Sequence, residues 1–188
     1  MKPSKFLMST NINGKGHIEY CDFAEENIKD LFVTSNNNEF VYSLAMSSEY
    51  IYAACLEFIL KLDHEGNNVE KIRVDKLTYS VAINRQQEII SSSCETHEVS
   101  VRSQCGKKMY SYSHENLQYP YGLDVTFCGS IFVCGQLSNN IHVLTPKAEL
   151  LKIFEIVCPR CIRFKENSYI CFVGSKENKT KVWNFVPT

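Results

Sequence analysis

The chain has 188 residues, 44% of them hydrophobic, and a formal net charge of -1 at pH 7. This hydrophobic content is that of a globular protein and excludes a disordered chain. The near-zero charge argues against a module dedicated to nucleic acids, which usually carries a basic surplus. No stretch approaches the roughly 18 apolar residues of a membrane helix, and the first residues lack the apolar core of a signal peptide.

The cysteines indicate a reducing compartment. Their number is odd, and the chain is too long for a small disulfide scaffold. We therefore expect a cytoplasmic protein whose thiols are mostly free and packed. The nine cysteines are Cys21, Cys55, Cys94, Cys105, Cys128, Cys134, Cys158, Cys161 and Cys171.

The first segment, about 5–38, is predicted to form three strands and to lack an innermost one. Two of its strands are expected at Gly16–Tyr20 and Ile28–Thr34. We interpret the residues between them, Cys21–Ile28, as a turn in preference to a short helix.

From residue 39 onward, a similar string recurs about every forty residues, which is the spacing of a repeat fold. The string reads Tyr-Ser-Leu-Ala-Met at 42–46, Tyr-Ser-Val-Ala-Ile at 79–83, Tyr-Gly-Leu-Asp-Val at 121–125 and Arg-Cys-Ile-Arg-Phe at 160–164. Internal similarity of this kind predicts that the chain repeats one structural unit.

Each first string is followed by further strings of strand-like residues. Second strings occupy 50–54, 88–92, 130–134 and 168–172; third strings occupy 58–62, 98–102, 140–144 and 180–184; fourth strings occupy 69–74, 107–112 and 149–154. Apolar residues alternate with polar ones, as at Val99 and Val101, which is the signature of a strand. The second strings are more continuously apolar, as expected of strands covered on both faces.

Four short strands in each repeat predict an all-β propeller. A four-stranded sheet cannot bury both of its faces alone, so neighbouring blades must stack. We expect one domain, a partial propeller of four to five blades with four antiparallel strands each. The blades are expected at about 5–38 (incomplete), 39–75, 76–115, 116–156 and 157–188 (incomplete), in a ring that is either small or part of a larger one.

The third complete repeat resembles an NHL-type repeat. It reads Tyr119-Pro-Tyr-Gly-Leu-Asp-Val125, then Gly129-Ser-Ile-Phe-Val-Cys-Gly135, then Ser138-Asn-Asn-Ile-His-Val-Leu-Thr-Pro146. It is similar to the C-terminal propellers of tripartite-motif (TRIM) proteins, especially the divergent invertebrate members. The resemblance implies a non-catalytic module that recognises substrates or partners in a TRIM-like ubiquitin-ligase system. Ligase activity would then belong to a RING domain, which these residues do not include.

No motif in the sequence combines enough catalytic or metal-binding residues to form a site. We therefore expect no enzyme, no metal and no cofactor. Cys158 and Cys161 form a Cys-x-x-Cys motif, but structural zinc needs four ligands and no second such motif exists. We expect structural cysteines here, with a redox dithiol as the alternative. Asp124 is the one carboxylate within an innermost string, and one carboxylate is too few for calcium. We expect it to contact a strand edge or channel water.

The histidines are also expected to have no catalytic or metal-binding role, because none lies on an innermost string. Propeller lyases and metallohydrolases need histidines or carboxylates that point into the central channel. We expect surface or turn positions for all five: His17, His64, His97, His114 and His142.

The loops that enter the innermost strands give the better candidate for function. Tyrosine and arginine are favoured in binding sites because they combine apolar area with a polar group. The residues expected to bind a protein partner are Tyr42, Tyr79, Tyr119, Tyr121, Arg160, Gln136 and Asn139, flanked by Lys76, His97 and Lys176. Alternatives are an RNA-binding propeller, disfavoured by the net charge, a propeller hydrolase or lyase, and a truncated gene product without a function of its own. Neither a membrane nor a small-molecule substrate is expected.

Overall fold

The computed structural model describes residues 5–22, 26–165, 167–176 and 180–184, and all regular secondary structure in them is β-strand. The strands are β1 (Lys5–Ile12), β2 (Lys15–Asp22), β3 (Asn27–Val33), β4 (Ser43–Met46), β5 (Ile51–Ala54), β6 (Leu56–Leu62), β7 (Asn68–Ile83), β8 (Ile89–Ser93), β9 (Glu98–Arg102), β10 (Lys108–Ser113), β11 (Pro120–Val125), β12 (Ile131–Gly135), β13 (Asn140–Leu144), β14 (Leu150–Glu155), β15 (Pro159–Phe164), β16 (Ile170–Ser175) and β17 (Thr180–Asn184). The described part of the chain offers no helix with the length and hydropathy that a membrane crossing requires.

The strands form antiparallel sheets in which sequence neighbours are also spatial neighbours. We number the units of this arrangement blades I to V. Blade I is β1–β3, blade II is β4–β6 with the first half of β7, blade III is the second half of β7 with β8–β10, blade IV is β11–β14 and blade V is β15–β17. The fold is a partial β-propeller, which confirms the predicted fold class.

One strand joins blades II and III. The first half of β7 pairs with β6, where Phe58 lies opposite Arg73, and its second half pairs with β8, where Val81 lies opposite Ser91. The two blades therefore form one seven-stranded sheet, where the sequence predicted two separate four-stranded sheets. Leu77, at the junction, has a φ of 52°. This left-handed conformation turns the chain sharply while the strand continues.

The hydrophobic core formed by the described residues is divided into four clusters, one for each contact between successive blades. Representative members are Ile18, Ile51 and Leu62 between blades I and II; Tyr52, Ile59 and Val81 between II and III; Ile90, Leu123 and Leu144 between III and IV; and Ile141, Ile162 and Val173 between IV and V. Full burial of one such side chain contributes about 1.5–3 kcal/mol. The blades therefore stabilise one another by stacking, as a repeat fold requires.

The innermost strands of blades II to V stand side by side. They are β4, the second half of β7, β11 and β15, and residues from all four line a cavity of about 110 Å³. β11 and β15 approach closely, since a Cβ atom on Gly122 would lie 2.5 Å from the carbonyl oxygen of Arg160. Only glycine fits at such a contact. Side chains near the starts of these strands are therefore brought together at one end of the cavity.

Blade I has three strands, and no fourth strand lies beside β1 in the portion of blade I that the structure describes. β2 contains the predicted strand Gly16–Tyr20, and β3 contains most of the predicted strand Ile28–Thr34. Residues 23–25 of the predicted turn lie outside the described residues. Blade I covers one face of blade II through Ile18, which is fully buried.

Candidate functional site

Three tyrosines and one arginine occupy equivalent positions in neighbouring blades. Tyr79, Tyr121 and Arg160 lie near the start of the innermost part of β7, β11 and β15, and Tyr42 immediately precedes β4. Because these strands are neighbours, the four side chains line one end of the inner cavity. Tyr119 joins them from the loop that enters β11. The structure therefore brings together five of the residues that the sequence singled out.

The tyrosine rings pack mainly on one another. The rings of Tyr79 and Tyr121 are stacked, with centroids 4.7 Å apart and planes inclined by 17°. Tyr42 meets Tyr79 edge-on at 5.0 Å, and Tyr119 lies nearly parallel to Tyr121 at 6.4 Å. The Cζ atom of Arg160 lies 5.0 Å from the ring centroid of Tyr121, within the range of a cation–π contact. We call these five side chains the tyrosine cluster.

Burial raises the pKa values of two phenols of the cluster, those of Tyr79 and Tyr42. Burial, with a hydrogen bond to Tyr119, raises the pKa of Tyr79 to about 12. Burial also raises the pKa of Tyr42, with a smaller contribution from Tyr121. At neutral pH these hydroxyl groups therefore remain hydrogen-bond donors and add no negative charge to the surface.

The loop that carries Tyr119 is held by backbone contacts. The amide of Tyr119 donates to Nδ1 of His97 at 2.9 Å, and its carbonyl accepts from the amide of Gln136 at 3.2 Å. Tyr119 has a φ of 55°, and the equivalent residues Leu77 and Cys158 have φ values of 52° and 44°. Because this left-handed conformation recurs in three blades, the propeller fold imposes it, and the site is built on a fixed backbone.

A pocket of about 320 Å³ opens beside the cluster. It is lined by Tyr79, Tyr119, Tyr121, Gln136, Leu137, Arg160 and Lys176. Gln136 is almost fully buried, whereas the side chain of Leu137 is 67% exposed. Sequence reasoning missed Leu137, although an apolar residue in a polar turn between two strands was a usable signal.

Asn139 does not belong to this pocket. It lies in a separate groove of about 820 Å³, lined also by Glu115, Asn116, Gln118, Ser138, Asn140, Ile153, Glu155, Ile156, Val157 and Lys181. Its Oδ1 accepts from the amide of Cys158 at 2.9 Å and lies 3.4 Å from the Cys158 Sγ. The structure thus places Asn139 apart from the tyrosine cluster, where its side chain fixes the loop that enters β15.

Two charged side chains of the inner strands, Asp124 and Arg163, join neighbouring strands. Oδ2 of Asp124 accepts from the amide of Phe164 at 2.7 Å, which ties β11 to β15. The guanidinium of Arg163 donates to the carbonyl of Leu123 at 2.9 Å and to Oγ of Ser43 at 3.3 Å, so it links blade V to blades IV and II. Burial raises the pKa of Asp124 more than Arg163 lowers it. Asp124 is a strand contact, which was one of the two roles expected for it.

The cysteines are all free thiols. Cys158 is half-buried beside Asn139 and Cys161 is exposed on β15, while burial raises the pKa of Cys55 and of Cys94 to about 12. The described residues contain no group of three or more His, Cys, Asp or Glu side chains that could hold a metal ion. The structural role expected for Cys158 and Cys161 stays a prediction.

The expectation that every histidine lies at a turn or on the surface is wrong for His142. This side chain is fully buried on β13, because β13 is covered on both faces by neighbouring blades. Its Nε2 lies 3.1 Å from the carbonyl oxygen of Asn116, and its Nδ1 lies 2.8 Å from the hydroxyl of Tyr112. Since a carbonyl can only accept, Nε2 carries the proton and Nδ1 accepts from Tyr112.

We expect His142 to make the protein less stable in mild acid. Burial lowers the pKa of His142 below its usual value, so the unfolded chain binds the proton first as the pH falls below about 6.5. The free energy of unfolding is therefore highest above that pH and decreases below it, by at most about 1.4 kcal/mol per pH unit. Urea unfolding between neutral pH and mild acid measures this slope. The His142→Gln variant should have a shallower slope, and equal slopes would show that His142 is not responsible.

Comparisons with known proteins agree on the fold. No protein-family model matches the chain, and no curated protein matches its sequence. Among solved structures, it is similar to U3-55K, with a TM-score of 0.75 and 14% identity over 96% of this chain and 57% of that one. It is also similar to streptogramin B lyase (TM-score 0.73, 13% identity, covering all of this chain and 67% of that one) and to the computationally designed protein Ika4 (TM-score 0.65, 16% identity, 84% and 99%). At these identities the likeness is one of propeller-like fold alone.

Proposed function

We propose that this chain is a non-catalytic binding module and that the tyrosine cluster is its recognition surface for a protein partner. One observation carries the proposal. Four tyrosines and Arg160, contributed by four blades, meet at one end of the inner strands beside a 320 Å³ pocket. Binding hot spots are enriched in Tyr and Arg and cluster around pockets.

The inner strands support a binding role over a catalytic one. Two of their charged groups, Asp124 and Arg163, make hydrogen bonds to neighbouring strands, and Arg163 also reaches Ser43 across the cavity. A propeller hydrolase or lyase would need several such groups free to meet a substrate. The resemblance of 116–156 to NHL repeats supports a cytoplasmic, TRIM-like setting in which this chain recognises the partner and another domain carries out ubiquitin transfer.

Selection from a displayed random-peptide library tests the proposal. We expect the chain to enrich a family of peptides, and we expect the double variant Tyr121→Ala and Arg160→Ala to bind them at least about tenfold more weakly, as removal of two hot-spot residues does. Circular dichroism should be unchanged. The affinity is measured by fluorescence anisotropy with a labelled peptide from the enriched family.

The chain offers a matched control at the other ends of the same strands. Arg85 and Tyr169 lie in turns that follow β7 and β15, and both flank the ring of Phe127. The double variant Arg85→Ala and Tyr169→Ala removes the same residue types from the opposite face. We expect it to keep wild-type affinity. Equal loss in both double variants, or no loss in either, would contradict the proposal.

A further inference from the structure

The pocket beside the tyrosine cluster is positively charged. Among the residues that the structure describes, its lining includes the cations Arg160 and Lys176 and no carboxylate. Both cations are exposed, and neither forms an ion pair with any carboxylate in the described ranges. A few cations elsewhere do have such partners, for example Lys71 with Glu39 at 3.1 Å. The pocket therefore presents two positive charges that no described carboxylate neutralises.

The aromatic rings next to these cations already use much of their area on each other. Tyr79 and Tyr121 cover one another at 4.7 Å, Tyr42 covers part of Tyr79, and Arg160 lies over the ring of Tyr121. Proteins that bind single-stranded nucleic acids instead offer open ring faces on which bases stack. The net charge of -1 also gives no excess of positive charge for a phosphate backbone. The arrangement favours a peptide over RNA.

The remaining groups of the pocket suit a carboxylate next to an apolar side chain. The planar guanidinium of Arg160 can pair with both oxygens of a carboxylate, and the ammonium of Lys176 adds a second positive charge. The protonated hydroxyl of Tyr79 is a further donor. Leu137 is 67% exposed at the rim and offers apolar area to a neighbouring residue. The volume of about 320 Å³ is at the small end for a ligand site, which fits one or two side chains.

We infer that the partner segment bound by this pocket is an acidic peptide, with an Asp or Glu side chain on Arg160 and Lys176 and an apolar side chain on Leu137. This inference rests on the proposed binding function and names its ligand class. It predicts that recognition depends on charge as well as on the tyrosine rings, and that it weakens as salt is added.

The test compares the peptides that two forms of the chain select from the same random library. Wild type should enrich sequences with Asp or Glu next to an apolar residue, and the affinity for them should fall several-fold when salt is raised. The charge-reversal variant Arg160→Glu and Lys176→Glu should lose these peptides and enrich Lys and Arg instead. A control variant, Arg85→Glu and Lys147→Glu, makes the same change of net charge in turns of the opposite face. We expect it to keep the acidic preference.

The outcomes separate the inference from the function on which it rests. If wild type enriches no peptide family, the proposed function fails and the inference falls with it. If wild type enriches peptides without an acidic bias, or if the charge-reversal variant keeps the acidic bias, the inference is wrong while the function stands. Tighter binding of oligouridine than of the selected peptides, lost in the charge-reversal variant, would overturn the assignment to a peptide in favour of RNA.

Discussion

We expect the Gly122→Val substitution to destabilise the protein by about 3 kcal/mol or more, the upper range for overpacking. A Cβ atom at this position would lie 2.5 Å from the carbonyl oxygen of Arg160 and 2.8 Å from the Cα of Cys161. Both contacts are with backbone, which cannot move aside as a flexible side chain can. The substitution therefore forces β11 and β15 apart and disturbs the contact between blades IV and V.

Urea unfolding followed by circular dichroism measures this effect through the shift of the midpoint at constant slope. The control is Ser111→Val, which puts the same side chain at an exposed position on β10, the outermost strand of blade III. That variant should stay within about 0.5 kcal/mol of wild type. An unchanged midpoint for Gly122→Val would mean that the two inner strands do not approach each other as described.

The Leu144→Ala substitution should cost about 2.7–5 kcal/mol, the range found for leucine truncation in well-packed cores. Leu144 is fully buried on β13 and belongs to the cluster between blades III and IV. Truncation leaves a cavity between two blades, and the surrounding side chains close around such a cavity only partially. Chemical denaturation again gives the free-energy difference.

Leu151, on β14 of the same blade, is the matched control because its side chain is 58% exposed. Its replacement by alanine should change stability by less than about 0.5 kcal/mol. A cost for Leu144→Ala as small as that for Leu151→Ala would argue against a core that lies between the blades.

The strand pattern could be predicted from the sequence because its signals are local. Alternation of apolar residues, turn residues and a forty-residue repeat located the four strands of each repeat. The continuity of β7 could not be predicted in this way. It depends on the pairing of Leu56 with Thr78, which leaves no mark in a single sequence.

The tyrosine cluster could be predicted because equivalent positions of a repeat fold converge. Tyr42, Tyr79, Tyr121 and Arg160 share one position in the repeat, so the fold class alone brought them together. Asn139 lies outside the pocket because a turn residue can face either the pocket or a neighbouring loop, and its contact with Cys158 decides which.

The burial of His142 also depends on contacts that are distant in the sequence. In a strand covered on both faces, the polar position between Ile141 and Val143 is buried as well. Its partners Tyr112 and Asn116 lie about thirty residues earlier in the chain, and a local pattern cannot identify them.

Hydrogen–deuterium exchange of the chain, alone and with a peptide selected by wild type, tests the recognition surface most directly. We expect the peptide to slow exchange in the segments that frame the pocket, at 76–79, 117–121 and 136–138, and to leave the turns at 84–88 and 126–130 unchanged. Protection confined to those opposite turns, with none around Tyr119 and Gln136, would contradict the placement of binding at the tyrosine cluster.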